Sequence, residues 1–237
     1  MHRKGFSLVE LSVTLVIIGI IVAAVISGAH LMQAAKNNKL ISELAGYKEA
    51  VENFRLKYHA WPGDVPNATA FWPNTGNGNG NERIEGDLTE KVRAWQHLSL
   101  SHMIAGNYSG VDAGTPDFEI DTNVPASIVK GAYYMLGYIQ LYNATLGRTG
   151  NALQLVTTEN NASPTGAAIT AADARIIDKK LDDSANPASG QIYVLRAESA
   201  RETANVCVTG DYTVETSVDY VTSDVETSCR LLLWLQE

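Results

Sequence analysis

The sequence predicts an α+β protein, and three observations carry that prediction. Residues 6–29 are an apolar run long enough to cross a bilayer, and residues 30–60 prolong it with a helical stripe. The remainder alternates strand-like runs with turn-rich links and only short helical patterns. Such an order supports a long N-terminal helix packed on an antiparallel β-sheet headgroup with extra short helices.

The chain opens on a short basic head, Met1-His2-Arg3-Lys4-Gly5, followed by the apolar run Phe6–Ala29. As a helix, that run is about 36 Å long, sufficient for a hydrocarbon core of about 30 Å with some tilt. It is too long for the apolar core of a cleaved secretory signal, and no small-residue cleavage site follows it. The positive head predicts a cytoplasmic N-terminus, with everything after Ala29 exported. The run carries one ionisable residue, Glu10. A carboxylate there costs at least ~2.5 kcal/mol on insertion scales, so it points to function.

The helical pattern continues past the membrane edge. Leu31, Ala34, Ile41, Leu44, Tyr47, Val51, Phe54 and Tyr58 fall close to one stripe, and charged residues fill the other face. Lys48 and Glu52 stand at i, i+4 and can pair. Pro62-Gly63 stops the helix, which from Phe6 to about Tyr58 would measure ~80 Å.

Residues 61–86 form a loop-rich region containing the Asn/Gly stretch 74–81. Asp87 or Thr89 can cap a second helix that runs to about Ile104 and ends at Gly106, with Val92, Trp95, Leu98, Met103 and Ile104 as its apolar face. Strands are expected at Ala132–Tyr142, Leu153–Thr157, Gln191–Ala197, Asn205–Thr209 and Cys229–Leu235. Thr170-Ala171-Ala172-Asp173 reads as a capping box for a short helix through about Leu181. The resulting division is a leader at 1–5, a membrane half at 6–29, an amphipathic half at 30–60 and a globular headgroup at 61–237.

The formal charge is −8, and −10 when Arg3 and Lys4 are set aside (16 basic against 26 acidic residues). Beyond the head there is no basic patch interleaved with aromatics, so no nucleic-acid partner is expected. Cys207 and Cys229 form no metal-type pair, and His97 and His102 lie about 140° apart around a helix, which does not suit zinc. If the globular part is exported, Cys207 and Cys229 read as a disulfide that constrains the unfolded chain by about 3 kcal/mol.

Asn77, Asn79 and Asn81 alternate before Glu82, Glu85 and Asp87, like the start of an oxygen-ligand calcium loop. Their alternative is a solvated Asn/Gly loop, since three of them are neutral amides and no Gly follows Asn81. Asp182-Asp183 offers a weaker carboxylate pair. Ser127-Ile128-Val129-Lys130 is a lone SxxK without companion motifs, and no GxSxG, HExxH, Walker A or dinucleotide fingerprint occurs, so no enzyme is expected. Trp61, Trp72 and Trp95 read as core or loop anchors.

The string Lys4-Gly5-Phe6-Ser7-Leu8-Val9-Glu10-Leu11 resembles the cleavage and methylation signature of type IV prepilins and type II secretion pseudopilins. The resemblance implies cutting by a prepilin peptidase between Gly5 and Phe6, N-methylation of Phe6, and pairing of Glu10 with the α-amine of a neighbouring subunit. It implies a pilin-like headgroup, other pilin or pseudopilin subunits as partners, and an inner-membrane precursor handled by an assembly platform. The product would be a periplasmic pseudopilus or a cell-surface filament. Unlike major pseudopilins, the chain has neither a Pro-Trp-Gly segment nor a Gly/Asp-rich calcium loop near the C-terminus. The alternative within the family is a minor pilin serving as a tip-binding, adhesion or DNA-uptake module. A plain membrane-anchored periplasmic domain is the alternative outside it.

Overall fold

In the computed structural model, which describes residues 7–85, 89–111, 118–141, 148–159, 163–182, 186–196, 207–209, 219–223 and 226–236, the first element is the helix α1 (Leu8–Tyr58). The chain divides into two compact units, Met1–Lys39 and Leu40–Glu237.

Within the first unit α1 buries almost nothing. Leu8, Val9, Leu11, Leu15, Ile20 and Val25 are all exposed, as are Leu31 and Met32. Apolar residues on every side give a helix with no preferred inward face, which belongs in lipid or among other such helices. This stretch meets the length and composition of a membrane-crossing helix.

The second unit opens with the remainder of α1, which is amphipathic as expected. Leu40, Leu44, Val51 and Phe54 are fully buried, and Ile41, Tyr47 and Tyr58 pack beside them. The expected stripe also included Leu31 and Ala34, but both are exposed. They lie in the first unit, on the part of the helix that has no core to face. Lys48 and Glu52 do approach, at 3.8 Å, and Lys48 Nζ also donates to Gln191 Oε1 at 2.8 Å. The helix ends at a left-handed cap: His59 has φ 53° and its N–H donates to the Arg55 carbonyl.

Two further helices precede the sheet, α2 (Ala68–Phe71) and α3 (Thr89–Leu100). Val92, Trp95 and Leu98 of α3 are fully buried, as their spacing predicted. The helix stops before the expected Ile104. His102 adopts φ 59°, its N–H bonds the Ser99 carbonyl, and the Met103 N–H bonds the Leu98 carbonyl. That pair of bonds is a Schellman motif. It ends the helix while leaving Met103 and Ile104 packed against the core.

The sheet is antiparallel, with strand order β1-β2-β7-β4 for β1 (Ala132–Gln140), β2 (Thr149–Glu159), β7 (Cys229–Trp234) and β4 (Ile192–Arg196). Short β3 (Ser163–Gly166) also pairs with β2, and β5 (Val208–Thr209) pairs with β6 (Asp219–Tyr220) separately. The register aligns two apolar rows across four strands: Tyr134, Leu155, Leu231 and Val194, then Leu136, Leu153, Leu233 and Ile192. Both rows belong to the main core with Phe54 and Trp95. The alternate residues Ala152, Tyr193, Leu232 and Trp234 form a second cluster, as a period of two requires. Arg148 covers that cluster, 4.9 Å from the Trp234 ring.

Helix α4 (Ala171–Leu181) begins where the capping pattern placed it, with Thr170 accepting the Asp173 N–H. Cys207 and Cys229 are bonded to each other. Tyr47 joins helix to sheet, its ring 5.0 Å from both Trp95 and Tyr134, while the Tyr134 hydroxyl donates to Glu43 at 2.7 Å. Burial raises the pKa of both tyrosines. The architecture is thus α+β: the outer part of a long N-terminal helix packed on an antiparallel sheet, with short helices added.

Candidate functional site

The first turn of α1 is closed by its own side chains. Glu10 Oε2 accepts the Ser7 backbone N–H at 2.9 Å, and Ser7 Oγ accepts that of Val9 at 3.3 Å. Ser7-Leu8-Val9-Glu10 is therefore a capping box, whose Ser-x-x-Glu spacing is present in the sequence. The carboxylate satisfies a helix donor that has no partner in the helix, and it stands in the first turn, where the helix dipole favours a negative charge. Farther along, Ser12 and Thr14 turn their hydroxyls back onto helix carbonyls, so they expose no unmet donor to an apolar surround. Gly5 and Phe6, the expected processing pair, lie outside the described residues.

The Asn/Gly loop is held by carboxylates that sequence reasoning did not single out. Asp64 Oδ1 accepts the N–H groups of Gly80 at 2.6 Å and Asn81 at 3.3 Å, and Oδ2 accepts that of Glu82 at 2.8 Å. Glu90, at the start of α3, accepts those of Asn79 and Glu85 at 3.0 Å each. Burial raises the pKa of both acids, and the backbone donors oppose that rise. Asn151 adds a bridge from β2, accepting the Ile84 N–H and donating to the Glu82 carbonyl. Two glycines make the close packing possible. A Cβ on Gly63 would overlap the Glu90 carbonyl oxygen, and one on Gly78 would overlap the Asp64 backbone.

The calcium candidates are engaged locally. Asn77 Oδ1 accepts the Thr69 N–H, Asn79 Oδ1 that of Asn81, and Asn81 Oδ1 that of Arg83. Asn81 Nδ2 donates to Glu85, whose other oxygen lies 3.7 Å from Arg83. Asp87 lies outside the described residues. The structure brings Asn79, Asn81 and Glu85 into one hydrogen-bonded turn and leaves Asn77 facing α2. Among the described residues no group of three or more His, Cys, Asp or Glu could hold a metal. Asp182 Oδ2 accepts the Gln191 and Ile192 N–H groups, fixing the start of β4, and Asp183 is outside the described residues. Ser127 Oγ accepts the Val129 N–H as a local turn.

His97 is the buried polar centre behind this loop. Its Nδ1 accepts the Gly63 N–H at 3.0 Å, and Nε2 lies 3.1 Å from Thr75 Oγ1. Thr75 in turn donates to Gln96 Oε1 at 2.5 Å. Accepting at Nδ1 fixes a neutral ring with its proton on Nε2, and burial lowers the pKa to about 4. The ring stacks on Phe54 and meets Trp72 at a tilt. Trp61 carries Arg55 at 3.8 Å over its face. The three tryptophans are anchors, as expected.

Residues 1–26 match the family model described as the prokaryotic N-terminal methylation motif. No curated protein and no solved structure matches the chain.

Proposed function

We propose, from the N-terminal methylation motif that marks this chain as a member of the type IV pilin and pseudopilin family, that it is a structural subunit of a pilus-like filament or secretion pseudopilus. Members of this family are typically non-enzymatic, are processed by prepilin peptidase and assemble with other pilins. In this reading the peptidase cuts between Gly5 and Phe6, Phe6 becomes N-methylated, and Glu10 receives the α-ammonium of a neighbour. The basic head supports a cytoplasmic N-terminus for the membrane-stored precursor.

The observation that carries the reading is an apolar helix exposed on all sides, capped by a box whose acid is Glu10. Such a surface has no intramolecular use. Stored in lipid it is solvated by acyl chains, and bundled with its copies it is solvated by other helices. The Ser7 amide uses one lone pair of Glu10, and a carboxylate has several, so an incoming ammonium can be added without breaking the cap. An ion pair inside such a bundle requires this kind of full hydrogen bonding to be tolerated.

Two measurements test the proposal. Co-expression with prepilin peptidase should remove Met1–Gly5 and replace one hydrogen of the new N-terminal amine with a methyl group, a net mass gain of one CH2. An uncut chain would end the family assignment in functional terms. Glu10→Gln preserves the capping geometry and removes the charge. It should leave cutting intact while filament yield falls at least about tenfold, the equivalent of ~1.4 kcal/mol per added subunit. Normal filaments from Glu10→Gln would show that the charge does not set the register.

A further inference from the structure

We infer that the second unit carries the two halves of a head-to-tail contact between copies of this chain: an acidic groove at the end of α1 and a basic face on α4. The inference rests on the filament reading above and names the surfaces that would meet within it.

The groove is a cavity of about 690 Å³ lined by the last turns of α1 and by the loop that Asp64 organises, including Glu52, Leu56, His59 and Glu82. Leu56 is 76 % exposed, a large apolar side chain presented outward beside two carboxylates. Glu49, Glu52 and Leu56 follow i, i+3, i+7, which places them on one face of α1 over about 10 Å. Among the described residues, Glu52 has the loose 3.8 Å approach of Lys48 as its ion pair. The groove's one guanidinium, Arg55, stands 3.8 Å from the centre of the Trp61 ring, against the three carboxylates of Glu52, Asp64 and Glu82. The lining is therefore net acidic around an apolar centre.

Helix α4 presents the opposite arrangement. Its inward residues Ala171, Ala174, Ile177 and Asp178 are buried, and the Tyr220 hydroxyl binds Asp178 at 2.7 Å. Its outward face carries Arg175, Ile176, Lys179 and Lys180. Ile176 is 44 % exposed, again an apolar side chain, here among cations. Arg175 to Lys180 spans about 8 Å, close to the length of the acidic stripe. Among the described residues, no ion pair joins this face to the groove.

Two complementary surfaces that, among the described residues, are not paired with each other suit a heterologous contact, which propagates into an open helical array where its rotation does not close. Opposite charge steers and orients the approach, while Leu56 against Ile176 supplies the dry centre that an ion pair at a rim cannot.

The experiment uses the full chain with its peptidase and assembly machinery. Reversing the groove with Glu52→Lys and Glu82→Lys, or α4 with Arg175→Glu and Lys179→Glu, should each cut filament yield at least about tenfold, and the four changes together should restore it. All these residues are at the surface, and restoration in the fourfold variant also excludes misfolding. Leu56→Cys with Ile176→Cys should give a ladder of oxidised multimers that neither single variant gives. Wild-type yield from either reversal, failure of the fourfold variant to recover, or absence of the ladder would each overturn the inference, and the first would leave the cavity to a small solute instead. Loss of filaments in Glu10→Gln alongside normal assembly of both reversals would overturn this contact and keep the filament reading. A wild-type chain that never assembles would overturn the filament reading itself.

Discussion

At the scale of single residues, the chain uses buried polar groups as fasteners for a loop that its composition alone would leave loose. Asp64 organises three backbone amides that no secondary structure satisfies. Asp64→Ala should therefore cost about 2 kcal/mol, since hydrogen bonds to a charged group contribute about 1.5–3 kcal/mol. The check is denaturant unfolding of the detergent-solubilised chain; a loss under about 0.5 kcal/mol would mean that water replaces the carboxylate. His97 gives the pH dependence. Its pKa is held at about 4 in the fold against an ordinary 6.5, so between those values the unfolded chain binds a proton that the folded one refuses. Stability from this group is complete above pH 6.5 and is lost as pH falls toward 4, by about 3 kcal/mol in all. Asp64 and Glu90 act oppositely: their raised pKa values make the fold gain relative stability as pH falls through the carboxylate range. His97→Gln removes this group alone, and a thermal midpoint that changes equally between pH 6.5 and 5 in both chains would show that the ring is not held neutral.

At the scale of elements, what could be read in the sequence was what repeats. The stripe of α1 from Ile41 to Tyr58 and the buried face of α3 each follow from a period, so their burial came out as expected. What could not be read was what depends on a single conformation. The end of α3 rests on His102 entering the left-handed region, a choice that no period encodes. Asp64 and the three amides it ties, those of residues 80–82, are likewise far apart in the chain, and only the fold brings them together. Thr170 was legible because a cap acts within four residues. The Cys207–Cys229 bond was legible from export and cysteine count, and its elements show what it does. The crosslinked segment contains β5 and β6, and Tyr220 of β6 ties it to Asp178 of α4. Replacing both cysteines with Ser should lower stability by about 3 kcal/mol and expose the β5–β6 segment to proteolysis before the main sheet. Simultaneous loss of both regions would mean that the bond supports the whole core.

At the scale of the whole molecule, the chain joins a unit with no core to a unit that contains all of it. Every residue of the main cluster falls at or beyond Leu40, and the exposed large apolar residues of the helix fall before it with the exception of Leu56. The two units therefore ask for different solvents, and the boundary between them at Lys39 sets where solubility should change. A chain beginning at Lys36 keeps one turn of helix ahead of Leu40 and removes the exposed apolar stretch. It should stay in solution without detergent, unfold cooperatively and retain the Cys207–Cys229 bond, since none of the core contacts is cut. It should also fail to enter filaments, because the surface that bundles has gone while the groove and the α4 face remain. The side-by-side measurement is sedimentation of the two chains without detergent: a large assembly or aggregate for the full chain and a single small species for the shortened one. Aggregation of the shortened chain would mean that residues before Lys36 complete the core, and that the division into one unit for the membrane and one for water is drawn in the wrong place.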